Sequence, residues 1–147
     1  MRYNPQLIVI ADDDRDDTLF LLSALLSLPR ELTIIAVPNG AELIKILEVV
    51  SPQIIFLDIN MPKINGFEAL RHIRSSEKPD QPTVIICSTA GSDMEMSIAR
   101  ELGTDLFITK PTNFKVLKRM IEDIFKRDWA GKAKGRIPES MLLSHVQ

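Results

Sequence analysis

A single cysteine, Cys87, stands in the 147 residues, so no internal disulfide can form and no clustered-thiol metal site is available. There is no basic surplus either: 18 lysines and arginines face 20 aspartates and glutamates, a formal net charge of -2. Neutralising phosphates along a nucleic acid needs such a surplus, so no nucleic-acid partner is expected. The opening Met1-Arg2-Tyr3-Asn4-Pro5 has no apolar centre of the kind a signal peptide carries. The longest greasy stretch, residues 19–28, is interrupted by Ser23 and Ser27 and is too short to cross a bilayer. A cytoplasmic protein without membrane contact is the expectation. Repeats and low-complexity segments are absent. With 45% hydrophobic residues and little net charge, disorder is not expected either. The length corresponds to one domain.

What the chain does contain is an alternation, repeated five times, of short apolar runs and longer helical patterns. Leu7-Ile8-Val9-Ile10-Ala11 is continuously apolar, as a strand covered on both faces must be. A helix is predicted over 16–28, ended by Pro29, and a strand over 33–37. Pro38-Asn39-Gly40 turns into a helix over 41–50, with Leu43, Ile44, Leu47 and Val50 at helical spacing. Strand 54–57, helix 67–75, strand 84–87, a helix capped by Ser92 or Asp93 and stopped by Gly103, and strand 106–108 follow. The last helix runs from about 113 to 127, with Phe114, Leu117, Ile121, Ile124 and Phe125 facing inward. Right-handed crossovers and burial on both faces then imply an α/β fold: a doubly wound, five-stranded parallel sheet. Sites in such folds lie at the carboxyl ends of the strands. Residues 128–147 differ in character, being locally basic, loosened by two glycines, and able to form one short helix from Pro138. The domain itself is placed at 1–127.

Four strand ends carry unusual residues. Asp12, Asp13 and Asp14, then Asp16 and Asp17, follow the first strand; Asp58 follows the third, Ser88 the fourth, and Lys110-Pro111 the fifth. In strand order 2-1-3-4-5 these groups converge. Three carboxylates from Asp12, Asp13 and Asp58 would repel one another and raise one another's proton affinity. A Mg²⁺ ion removes the conflict and leaves room for a phosphate oxygen. A carboxylate beside Mg²⁺ and a lysine can accept a phosphoryl group, because the incoming charge is neutralised. Lys110 and the Ser88 hydroxyl suit the supporting roles. Taken singly, each residue has a simpler reading as a cap, a turn former or a solvated side chain. For Asp14, Asp16 and Asp17 that reading, capping and a favourable helix dipole, is preferred.

The ordered set resembles the receiver domain of two-component response regulators, a flavodoxin-like fold. The resemblance rests on Asp12-Asp13 after an apolar strand, on Leu57-Asp58-Ile59-Asn60-Met61-Pro62 with Gly66, and on Ser88 and Lys110-Pro111 at family-like intervals. It spans residues 6–127. It implies that Asp58 is phosphorylated by a sensor histidine kinase or phosphotransfer protein. Mg²⁺ would be held by the side chains of Asp13 and Asp58, by Asp12 partly through water, and by the Asn60 backbone carbonyl. Lys110 would pair with the phosphoryl group, and its bond to Pro111 would be cis. Ser88 and Phe107 would be the switch pair. Thr89 stands where Ala or Gly is frequent, and Thr112 where an apolar residue is common. Asn60 and Ala90 occupy positions that tune dephosphorylation in the family.

The reading that follows is a non-enzymatic signalling switch or phosphorelay carrier, acting on an unidentified downstream protein. A homodimer through the last sheet edge is compatible with it. The output face is expected along the fourth helix, fifth strand and fifth helix, with Met94, Met96, Val116 and Met120 partly exposed there; core packing of the same residues is the alternative. A phosphatase forming its own aspartyl-phosphate commonly has a second Asp two positions on, where this chain has Asn60. Neither a Gly-rich phosphate loop nor a nucleophile–base triad is present to support another enzyme. A degenerate receiver that binds without phosphorylation is disfavoured because acceptor, acid pair, hydroxyl and lysine are all there.

Overall fold

The computed structural model describes residues 6–127, as five strands alternating with five helices. Expectations for residues 128–147 lie outside the described residues. In chain order the elements are β1 (Gln6–Ala11), α1 (Arg15–Leu26), β2 (Leu32–Val37), α2 (Gly40–Ile46) and β3 (Ile54–Asp58). Then come α3 (Gly66–Ser75), β4 (Thr83–Ser88), α4 (Asp93–Leu102), β5 (Leu106–Thr109) and α5 (Phe114–Lys126). All pairings are parallel and the order is β2-β1-β3-β4-β5, as expected.

The central strands are apolar because both faces are covered. Every residue of β3, and all but the first of β4, is buried. Helices α1 and α5 pack together, while α3 lies between α2 and α4. The edge strand β2 is only half-buried, with Thr33 and Ala36 exposed. Helix starts follow the capping residues: Asp14, Asn39, Asn65, Ser92 and Asn113 each accept a backbone N–H from the first turn. Of the two residues offered for α4, Ser92 is the cap, and Gly103 ends the helix at φ 97°.

Three local expectations need correction. Helix α2 ends at Ile46 rather than at residue 50, because the chain tightens into three-residue turns, with Glu48 N–H on Lys45 O and Val49 N–H on Ile46 O. The β-branched pair Val49-Val50 and the nearby Pro52 favour leaving the helix there. Phe114 does not face inward: it is 37% exposed, packed edge-on against Phe20 at 5.7 Å between ring centroids. The Lys110–Pro111 bond is trans, not cis. The two prolyl isomers differ by only about 0.5–1 kcal/mol, too little for sequence alone to choose between them.

Candidate phosphoryl-acceptor site

Parallel pairing puts every carboxyl-terminal strand end on one rim, and there the acidic residues meet. Asp58 is the last residue of β3, in register with Cys87 of β4, and is 6% exposed. Asp12 and Asp13 follow β1, whose exit is held by the Asp12 N–H on Val37 O at 3.1 Å. Asp12, Asp13 and Asp58 each offer a carboxylate oxygen, all within 4.8 Å of one another. An all-oxygen set of three carboxylates fits a small hard dication such as Mg²⁺. Asn60 is exposed two residues beyond Asp58, on the same loop.

Gly66 holds that loop against the site. Its N–H donates to Ile59 O at 2.8 Å, and a Cβ there would lie 2.2 Å from the Asp58 carbonyl oxygen. Only glycine permits that approach, which explains its place in the motif.

Lys110 enters from the turn after β5. Its Nζ donates to Asp17 at 2.8 Å and to Asp12 at 3.0 Å, and lies 3.0 Å from Asp58 Oδ1. Burial works against its charge, but the bonds to Asp17, Asp12 and Asp58 outweigh that and raise its pKa. Burial pushes the Asp58 carboxyl up to about 6; Lys110 pulls it down, and the charges of Asp12 and Asp13 push it up again. Asp12 is raised as well, first by burial. Cys87, behind Asp58, is driven by burial to about 12 and stays a thiol. An open depression leads from Lys110 and Asp58 past Phe20, Leu21 and Leu117. The arrangement brings a buried carboxylate, an ammonium held by three acids and an oxygen set that fits a dication together along one rim.

Asp17 is part of this site, although capping was the preferred reading for it. Asp14 does behave as a cap, accepting the Asp17 N–H at 2.9 Å, while the Asp17 carboxylate turns to Lys110. The signal was in the sequence. Asp17 is in phase with Leu21, Ala24 and Leu25, the stripe of α1 that packs inward. Ser88 stands at the end of β4, where it is buried, and its hydroxyl donates to Glu95 of α4 rather than toward Asp58. Phe107 is wholly buried, in the inward orientation.

A family profile described as "Response regulator receiver domain" matches residues 8–122. The chain belongs to that family. This receiver is 32% identical over 123 residues to the transcriptional regulatory protein AfsQ1 of Streptomyces coelicolor, covering 84% of this chain and 52% of that protein. It is 32% identical over 120 residues to the transcriptional regulatory protein CpxR of Escherichia coli, covering 82% and 49%. The chain thus spans about half the length of these relatives. Among solved structures, the phosphorylated cyanobacterial phytochrome response regulator RcpA superposes with a TM-score of 0.78 at 22% identity, over 92% of this chain and 100% of that one. At that identity the likeness shows the shared fold. Membership places the chain in two-component signalling. No helix among the described residues is long and apolar enough to cross a membrane.

Proposed function

We propose that this receiver is a signalling switch operated by phosphorylation of Asp58. The observation that carries the reading is the Lys110 ammonium, 3.0 Å from Asp58 Oδ1, beside a second and third carboxylate within 4.8 Å. An Asp58 carboxylate oxygen attacks phosphorus of a phosphohistidine on a sensor kinase or phosphotransfer protein. The phosphorus–nitrogen bond breaks, and the imidazole leaves. Bound Mg²⁺, held by Asp12, Asp13, Asp58 and the Asn60 carbonyl, would neutralise charge on the transferring oxygens. Lys110 supplies a fixed positive charge to the same oxygens without reorganising at the moment of transfer. Leu19, exposed on α1 beside the acids, is available to a docking helix.

Output follows from what the phosphoryl group makes Ser88 and Lys110 do. Charge-assisted hydrogen bonds contribute about 1.5–3 kcal/mol each, and reversing a 1:99 equilibrium takes about 5.5 kcal/mol. Neither group starts unbonded, however: Lys110 has three carboxylates and Ser88 has Glu95. The driving force is therefore a difference between two sets of bonds, smaller than their sum. Met94 is 72% exposed on α4, while Met96 and Met120 are half-buried against the core. The output face is accordingly centred on Met94 and the exposed Ile98 of α4, engaging a protein partner in the cytoplasm without catalysis by the receiver itself. The relatives are named transcriptional regulators, so exclusion of nucleic acid is not carried forward.

Acetyl phosphate with Mg²⁺, followed by intact mass, tests this directly. The wild type gains one phosphoryl group and Asp58→Asn gains none. An adduct retained by Asp58→Asn, or none on the wild type, would overturn the assignment.

A further inference from the structure

A serine hydroxyl has one proton to donate. In Ser88, 2% exposed at the end of β4, that proton goes to Glu95 Oε1 at 2.5 Å. The Gly91 N–H donates to the same hydroxyl oxygen at 2.9 Å, so Ser88 is oriented from two sides. Gly91 has φ 62°, and a Cβ there would meet Thr109 Oγ1 at 2.3 Å, which keeps this loop closed over β5.

Glu95 is the third residue of α4, and Ser92-Asp93-Met94-Glu95 is the pattern of a capping box. In a complete box the glutamate reaches back to the N-cap N–H. Helix α3 shows both halves: Asn65 accepts from the Glu68 N–H and Glu68 accepts from the Asn65 N–H, each at 2.9 Å. In α4 the Ser92 hydroxyl accepts the Glu95 N–H at 3.1 Å, but the Glu95 carboxylate is turned to Ser88. The side chain thus has two alternative donors, one within its own helix and one at the end of the neighbouring strand.

From this we infer that Glu95 is a positioning residue that withholds the Ser88 hydroxyl until Asp58 is phosphorylated. It rests on the receiver reading of Asp58 and Ser88. A phosphoryl group on Asp58 and the Glu95 carboxylate compete for one proton. When the phosphoryl group takes it, Glu95 is released and closes the capping box on the Ser92 N–H. The state of Asp58 is thereby written into the first turn of α4, next to Met94. Because Ser88 exchanges one charge-assisted bond for another, Glu95 lowers the affinity of the site for a phosphoryl group and keeps the resting state off.

The test is calorimetric titration of beryllofluoride, a phosphoryl mimic, with Mg²⁺ present. The proteins are wild type, Glu95→Ala, Glu95→Gln, Ser88→Ala and the Ser88→Ala/Glu95→Ala double variant. Glu95→Ala should tighten binding about tenfold, within what one charge-assisted bond supplies. Glu95→Gln, which keeps a neutral acceptor, should tighten it less, and Ser88→Ala should weaken it. In the Ser88→Ala background, Glu95→Ala should change nothing, because the shared hydroxyl is gone. A merely structural role in α4 would act equally in both backgrounds. Unchanged or weaker binding by Glu95→Ala, or equal tightening with and without the Ser88 hydroxyl, overturns the latch alone. A wild type that binds no beryllofluoride overturns the receiver reading together with it.

Discussion

Lys110 Nζ lies 2.8 Å from Asp17 Oδ2, nearer than the 3.0 Å that separates it from either Asp12 or Asp58. One ammonium therefore serves three carboxylates drawn from α1, the β1 exit and β3. The partners are unequal in their exposure to water. The Asp17 side chain is 41% exposed, whereas those of Asp12 and Asp58 are nearly buried.

That inequality separates two substitutions. Asp17→Asn removes a partly exposed pair and should cost less than about 1 kcal/mol in urea unfolding. Lys110→Ala leaves Asp12 and Asp58 buried without their cation and should cost about 3–5 kcal/mol in metal-free buffer. Added Mg²⁺ should restore much of the second loss. Equal costs for the two would show that the three contacts are interchangeable.

Metal-free, the crowded acids work against folding. If Mg²⁺ is held by the folded cluster as proposed, it should raise the melting temperature of the wild type. Asp13→Asn should be more stable than wild type in chelator and respond less to Mg²⁺. The same Mg²⁺ shift in both proteins would remove Asp13 from the ligand set.

The Asp58 carboxyl sits at about 6 in the fold against 3.8 as the ordinary value. A group raised on folding stabilises the protein below its unfolded pKa, and that contribution is lost as pH rises through the folded one. In chelator, then, ionisation of Asp58 between about pH 4 and pH 7 should cost roughly 3 kcal/mol. Asp58→Asn should lack this decline. Denaturant midpoints across that range, compared for the two proteins, check the sign and the size.

Gly66→Ala should be among the most damaging small changes at the rim. The added Cβ would meet the Asp58 carbonyl oxygen at 2.2 Å, and backbone cannot rotate away as a side chain would. A loss of about 1–3 kcal/mol is expected from the forced shift. Displacement of Asp58 should also blunt the stabilisation by Mg²⁺. A variant with normal stability and a normal Mg²⁺ response would show that the loop after β3 is free to move.

The parts of the site that were legible in the sequence are those where the chain leaves an apolar strand. Ile8 to Ala11 and Ile54 to Leu57 cannot be placed anywhere but the sheet interior, so Asp12 and Asp58 must stand at their ends. Lys110 follows from β5 in the same way. Asp17 was legible only in part, because its phase with Leu21 and Leu25 points it inward, yet an acid in a first helical turn has an adequate local explanation. Glu95 was not singled out in the sequence. Three residues after Ser92 it reads as a capping partner, and only the proximity of β4 offers it the Ser88 hydroxyl instead.

By itself the amino-acid order determined the five alternating units and the doubly wound parallel sheet whose carboxyl rim carries the acids, whereas the order β2-β1-β3-β4-β5 that makes those strand ends neighbours is seen in the structure. Hydrophobic periodicity and the handedness of crossovers act through burial, which local composition already encodes. Tertiary structure alone decided where Lys110 and Ser88 point, how far Phe114 lies from the core, and which isomer the Lys110–Pro111 bond adopts. Each of those is a choice among partners or rotamers separated by about 1–3 kcal/mol at most. Differences of that size are settled by neighbours distant in the chain, such as Asp17 and Lys110, 93 residues apart, which meet only once the sheet has closed.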